Sequence, residues 1–129
     1  MEYKLLGKIG AVNEIRKEFG TLHTSDIIIM DERDKHIRDR HPNDYEFFEK
    51  HGKAAVNDPD LVLKDGKNDE TVFMVKKLPD TNLNVVVKVA VDKIHPDYKN
   101  SILTFYRLRD KNLEKLKKKE GNKILYIKE

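Results

Sequence analysis

Between Leu61 and Leu108 apolar residues recur at every second position, and turn-forming clusters break the pattern at short intervals. Leu61-Val62-Leu63 opens it, and Asp65-Gly66-Lys67-Asn68-Asp69 reads as a hairpin loop. Thr71–Leu78 is the next run, followed by the turn Pro79-Asp80-Thr81-Asn82. In Leu83–Val91 the residues Leu83, Val85, Val87, Val89 and Val91 share one face, while Asn84, Val86, Lys88 and Ala90 share the other. Ser101–Leu108 alternates again. A period of two is the signature of strands, and strands joined by tight turns pair as an antiparallel meander.

The chain ahead of this meander has a different rhythm. Residues 2–9 alternate weakly and predict a short strand. Val12, Ile15 and Phe19 stand at helical intervals before Gly20, a plausible helix stop. Ile27-Ile28-Ile29-Met30 is a β-branched run that predicts a buried strand. From Asp31 to His41 only Ile37 is apolar, with acids leading and bases trailing, which suits the helix macrodipole. Pro42 disfavours α geometry at His41 and predicts that the helix ends there. A second helix is expected from an N-cap at Asn43 or Asp44, with Gly52 weakening it, before the turn Asp58-Pro59-Asp60. Residues 110–119 predict a short basic helix, and Lys123–Lys128 an added edge strand. The expectation is one α+β domain over 1–129: N-terminal helices, then a four-stranded antiparallel sheet with a fifth strand as an option.

If Val85, Val87 and Val89 pack on the helices, Lys88 points out of the other face. Leu103 and Phe105 would then be the buried pair of the last main strand, leaving Thr104 and Tyr106 beside Lys88. Val86 and Ile102 on the supposedly open side suggest partial cover on both faces.

Composition narrows the function classes. The chain has 129 residues, 26 Lys+Arg against 23 Asp+Glu, and a formal net charge of +3, so it is neither a highly basic coat nor an acidic tail. A mean hydropathy of −0.73 and the lack of a long apolar run exclude a helical membrane span, and no secretory h-region opens the sequence. Cysteine is absent, which removes disulfides, thiolate metal sites and cysteine nucleophiles and fits a cytoplasmic setting.

The densest chemistry lies between Arg33 and His41, where two His and three Arg fall within nine residues. His36 and Arg40 share a helical face, and His41 lies about 140° round from His36 unless Pro42 alters the geometry. Such a helix is either a surface element laced with pairs such as Glu32–His36 and Lys35–Asp39, or it faces a phosphate ester. Arg forks match phosphate geometry, and imidazoles move protons near neutral pH. Lys88, set in a valine strand, either reaches solvent or serves a site. Residues 99–119 hold eight bases (Lys99, Arg107, Arg109, Lys111, Lys115, Lys117, Lys118, Lys119) against Asp110 and Glu114, a flank that attracts polyanions. His51 and His95 read as incidental. His-x4-His matches no zinc signature, and no metal or other cofactor is expected.

The run Asp31-Glu32-Arg33-Asp34-Lys35-His36-Ile37-Arg38-Asp39-Arg40-His41-Pro42-Asn43-Asp44-Tyr45 resembles the DERxxHIxxRHPxDY segment of the phage-borne barnase–EndoU–colicin–RelE-like (BECR) nucleases. Asn57-Asp58-Pro59-Asp60 is similar to that family's NPD turn, Val85-Val86-Val87-Lys88 to its vvvK strand, Lys99-Asn100-Ser101-Ile102-Leu103-Thr104 to its KNSIIT strand and Lys123-Ile124-Leu125-Tyr126 to its KILY end. Asp58, Leu61 and the Phe105-Tyr106 pair depart from the pattern. The resemblance implies a prophage-encoded, toxin-like, metal-independent endoribonuclease of the cytoplasm that leaves a 2′,3′-cyclic phosphate. Its catalytic set would be His36, Arg40, His41, Lys88 and Thr104, with the acid and base roles of the two histidines open. Ser101, Tyr106, Arg107, Lys111 and Lys115 would contact substrate. RNA of the tRNA or mRNA class is the implied partner, with room for an immunity or antitoxin protein and none for a membrane. The alternative is a non-catalytic module of the same fold that binds RNA or a protein.

Overall fold

A computed structural model describes residues 2–91 and 99–129. Seven strands and four helices follow in the order β1 (Tyr3–Lys8), α1 (Val12–Phe19), β2 (Asp26–Met30), α2 (Asp31–Arg40), α3 (Pro42–Asn57), β3 (Leu61–Lys64), β4 (Thr71–Lys77), β5 (Asn82–Lys88), β6 (Asn100–Leu108), α4 (Asp110–Lys118) and β7 (Lys123–Ile127). The α+β class and the meander stand. Among the described residues, however, the sheet has seven strands rather than four or five, in the order β1-β2-β6-β5-β4-β3-β7. β1 and β2 add to the outer side of β6, and β2 runs parallel to it, with Ile27 beside Asn100 and Ile28 beside Ser101. Every other pairing is antiparallel. Alternation reveals a strand but not its neighbour, so the two early strands could not be assigned to this sheet from their own residues.

α1, α2 and α3 lie on one face, called here the helical face. Val62, Val72, Met74, Leu83, Val85, Val87, Ile27 and Ile29 point into it and meet Ile15, Ile37, Tyr45, Phe48 and Val56. The buried residues of α3 fall at 45, 48, 52, 55 and 56, the spacing that keeps one stripe of a helix against a sheet. Gly52 sits within this helix because the Phe48 ring occupies the space a Cβ would need, 2.6 Å from the ring edge. α3 begins at Pro42 as its first residue, with His41 as N-cap, rather than at a cap on Asn43 or Asp44. Proline suits that first position because its missing N–H would have had no helical partner. Gly20, at φ 97°, stops α1 as the sequence predicts.

The second face carries a smaller core. Leu61, Leu63, Phe73, Val75, Val86 and Leu108 are covered by Leu113 of α4, with Leu103 and Leu116 at its margin. This realises the partial cover that Val86 implies. A register shift between Val86 and Val87 opposes Thr104 to Val86 and Ile102 to Val87. That bulge puts Ile102 and Phe105, not Leu103 and Phe105, on the helical face, where Phe105 stacks on Phe48 at 4.1 Å. Asn100 fixes the start of β6: its amide nitrogen donates to the carbonyls of Thr24 and Asp26, and its oxygen accepts from the Ala90 N–H.

Candidate nucleic-acid interface

α2 starts directly at the end of β2 and touches β2, β6 and α3. Its inward side holds Ile37 and Asp34. The buried Asp34 carboxylate accepts from the Tyr45 hydroxyl at 2.7 Å and from Arg38 Nη2 at 3.0 Å, and the Arg38 guanidinium lies 5.4 Å from the Tyr45 ring centre. Burial, and then the Asp34 carboxylate, push the Tyr45 hydroxyl up to about 12. This lock clamps α2 to α3, so among the described residues the ion pair on α2 is Asp34–Arg38 rather than Glu32–His36 or Lys35–Asp39. His36, Arg40 and His41 face solvent, His41 with φ −137° and ψ 64° as the chain leaves helical geometry before Pro42.

Lys88 is the last residue of β5 and is exposed, opposite Thr71 on β4 and Ser101 on β6. By strand parity its side chain leaves the face opposite the helical one. Thr104 and Tyr106 emerge from that same face, opposite Val86 and Asn84. Asn84 is fully buried, and its amide nitrogen donates to the Tyr106 hydroxyl at 3.0 Å, while its Oδ1 has no hydrogen-bond partner among the described residues. The Tyr106 oxygen is thereby used as acceptor, which leaves its O–H hydrogen to be offered outward.

Of the expected residues, Lys88, Ser101, Thr104 and Tyr106 therefore come together on one face. His36, Arg40 and His41 form a second group on α2, whose Ile37 anchors it to the other face. The two groups share β6, which carries Thr104 and Tyr106 and which α2 touches. Arg107 stands apart from the open face. Alternation turns it to the helical side, where its Nε pairs with the Asp44 carboxylate at 2.8 Å and its guanidinium lies 5.7 Å from the Phe47 ring centre. Arg107 thus does not join the basic flank that the sequence of 99–119 predicts. Arg107 and Arg109 also line a recess of about 330 Å³ with Asp80 and Thr81. Lys111 and Lys115 are exposed on α4, and Lys115 borders a groove of about 560 Å³ beside Leu108 and Leu116. His51 packs on the Phe47 ring at 4.8 Å, a structural role, and His95 lies outside the described residues.

Sequence reasoning passed over Tyr3 and Leu5. They are 48% and 59% exposed on the edge strand β1, opposite Met30 and Ile28. Their parity places them on the face of Lys88, and the Lys99 ammonium lies 5.6 Å from the Tyr3 ring centre. The only sequence signal is weak: an aromatic and a leucine alternating in a strand read as core.

Among the described residues no group of three or more His, Asp or Glu is arranged to hold a metal ion, and no helix is long and apolar enough to cross a membrane. No family model matches the chain, and no curated protein or solved structure matches it.

Proposed function

We propose that the protein is an endoribonuclease that cuts RNA through the substrate's own 2′-hydroxyl. The observation that carries this reading is the exposed patch in which Lys88 opposes Ser101 across β5 and β6, with Thr104 and Tyr106 farther along β6 on the same face. An ammonium beside hydroxyl donors is suited to a phosphodiester and to the extra negative charge of a phosphorane. In the reaction a base takes the 2′-OH proton, the O2′–P bond forms, the P–O5′ bond breaks and an acid protonates the leaving oxygen. His36 and His41 are the imidazoles for those transfers, with Arg40 as an added cation. The reading requires the scissile phosphate to lie at the outer edge of β6, between Thr104 and α2.

A second reading, binding without cleavage, is favoured by one observation. Ile37 fixes α2 to the face opposite the one that Lys88 leaves, so the imidazoles and the ammonium are anchored on opposite sides of the sheet. The open face and the lysines of α4 would then hold the RNA backbone, with affinity falling as salt rises.

Incubation with total tRNA and mRNA in EDTA separates the two, beside His36→Ala and Lys88→Ala. Cleavage leaving 2′,3′-cyclic phosphate ends, with a loss of roughly 10²-fold or more in both variants, is the expected result. A gel shift with intact RNA selects the binding reading. Neither cleavage nor a shift overturns both.

A further inference from the structure

We infer that the open half of the sheet is a track for unpaired RNA, with Tyr3 and Tyr106 as base-stacking posts at its two ends. The inference rests on the RNA reading above and extends it to β1, a strand to which the resemblance assigns no role.

β1, β2 and β6 are successive neighbours, so Tyr3 and Tyr106 are separated by two strand spacings, roughly 10 Å, and are also offset along the strands. A single nucleotide does not span both rings. Both are exposed, 48% and 37%. Neither ring is covered by α4, whose apolar residues meet Leu61, Leu63, Phe73, Val75, Val86 and Leu108 instead. Cations flank the rings: Lys99 lies against Tyr3, and Lys88 stands on β5, opposite Ser101 of β6. From Ser101 to Tyr106 the track follows β6 for roughly 15 Å at the usual rise per residue.

Exposed aromatic faces flanked by ammonium groups complement a polyanion whose bases are free to splay. Every base has a π-face, so stacking of this kind is tolerant of sequence and needs a single strand. A duplex keeps its base faces stacked on one another and offers only backbone and groove. Tyr106 adds a second contact, because its hydroxyl is held by Asn84 and has its hydrogen left to donate to a phosphate or base oxygen.

The test is the affinity of the intact protein for a short labelled oligouridylate, and for an RNA duplex of the same length, across a salt series. Tyr3→Ala is expected to weaken single-strand binding roughly 10-fold with an unchanged salt dependence, and Tyr3→Phe to bind like wild type. Lys88→Ala should instead lower the slope of log affinity against log salt by about 1. If Tyr3→Ala binds as wild type does while Lys88→Ala loses affinity and slope, the stacking track is overturned and the RNA reading stands. Equal affinity for the duplex also overturns the track. If the wild type binds neither RNA, the RNA reading itself falls, and the track with it.

Discussion

The two faces of the sheet are built to different ends. On the helical face α1, α2 and α3 bury Val62, Val72, Met74, Leu83, Val85 and Val87 almost completely. On the other, α4 covers the β3, β4 and β5 side together with Leu108. Beyond its reach the same sheet exposes Tyr3, Leu5, Lys88, Thr104 and Tyr106. One face holds the fold and half of the other is left for contact. Strand alternation lets a single strand such as β5 serve both, with Val85 and Val87 inward and Lys88 outward.

The largest effect expected from this asymmetry is at Phe48. Its ring stacks on Phe105 and fills the space beside Gly52, so Phe48→Ala should cost about 3–5 kcal/mol in chemical denaturation. Leu113→Ala, in the smaller core, is expected to cost about 2–3 kcal/mol, expressed locally. Amide exchange in α4 should then accelerate while the strands of the helical face stay protected. If Leu113→Ala lowers protection everywhere by the same amount, the two cores are one cooperative unit and the contrast between the faces breaks down.

The smallest effect concerns the lock between α2 and α3. Because the Tyr45 hydroxyl is raised to about 12 in the folded state, against about 10 in the unfolded chain, its contribution is complete below pH 10. It is lost as pH rises from 10 to 12, where the unfolded chain releases the proton more readily. Stability should drop by about 1 kcal/mol at pH 11 on this account, and the drop should vanish in Tyr45→Phe. Denaturation curves at pH 9 and pH 11 provide the measurement, and an unchanged drop in Tyr45→Phe would detach the effect from this residue.

Much of the element order is legible in the sequence because each strand and helix carries its own period. What is not legible is set by residues far apart in the chain. Nothing in Ile27-Ile28-Ile29 announces a parallel partner at Asn100 and Ser101, and the bulge at Leu103 and Thr104 leaves the alternation looking regular. Leu113 and Leu116, among the lysines of α4, are enough to cover a second core although the helix reads as basic. For the candidate site, the sidedness of Lys88, Thr104 and Tyr106 follows from parity alone. The departure of Arg107 is settled by Asp44 and Phe47, on a helix some sixty residues earlier in the chain. The exposure of Tyr3 depends on α4 stopping short of β1, a fact of packing with no local signature.

The place of β6 also bears on how the molecule is made. β2 is finished by residue 30, yet its inner neighbour begins only at Asn100. During synthesis, then, the first half of the chain can form its helices and the β1–β2 pair, but one edge of β2 stays bare until some seventy further residues have emerged. When β6 arrives it zips against β5 and β2 together, and the Asn100 amide joins Thr24, Asp26 and Ala90 in one stroke. Closure of the sheet is thus a late, long-range event. Until it occurs the nascent protein carries a strand edge rich in isoleucine, the kind of surface on which neighbouring chains pair.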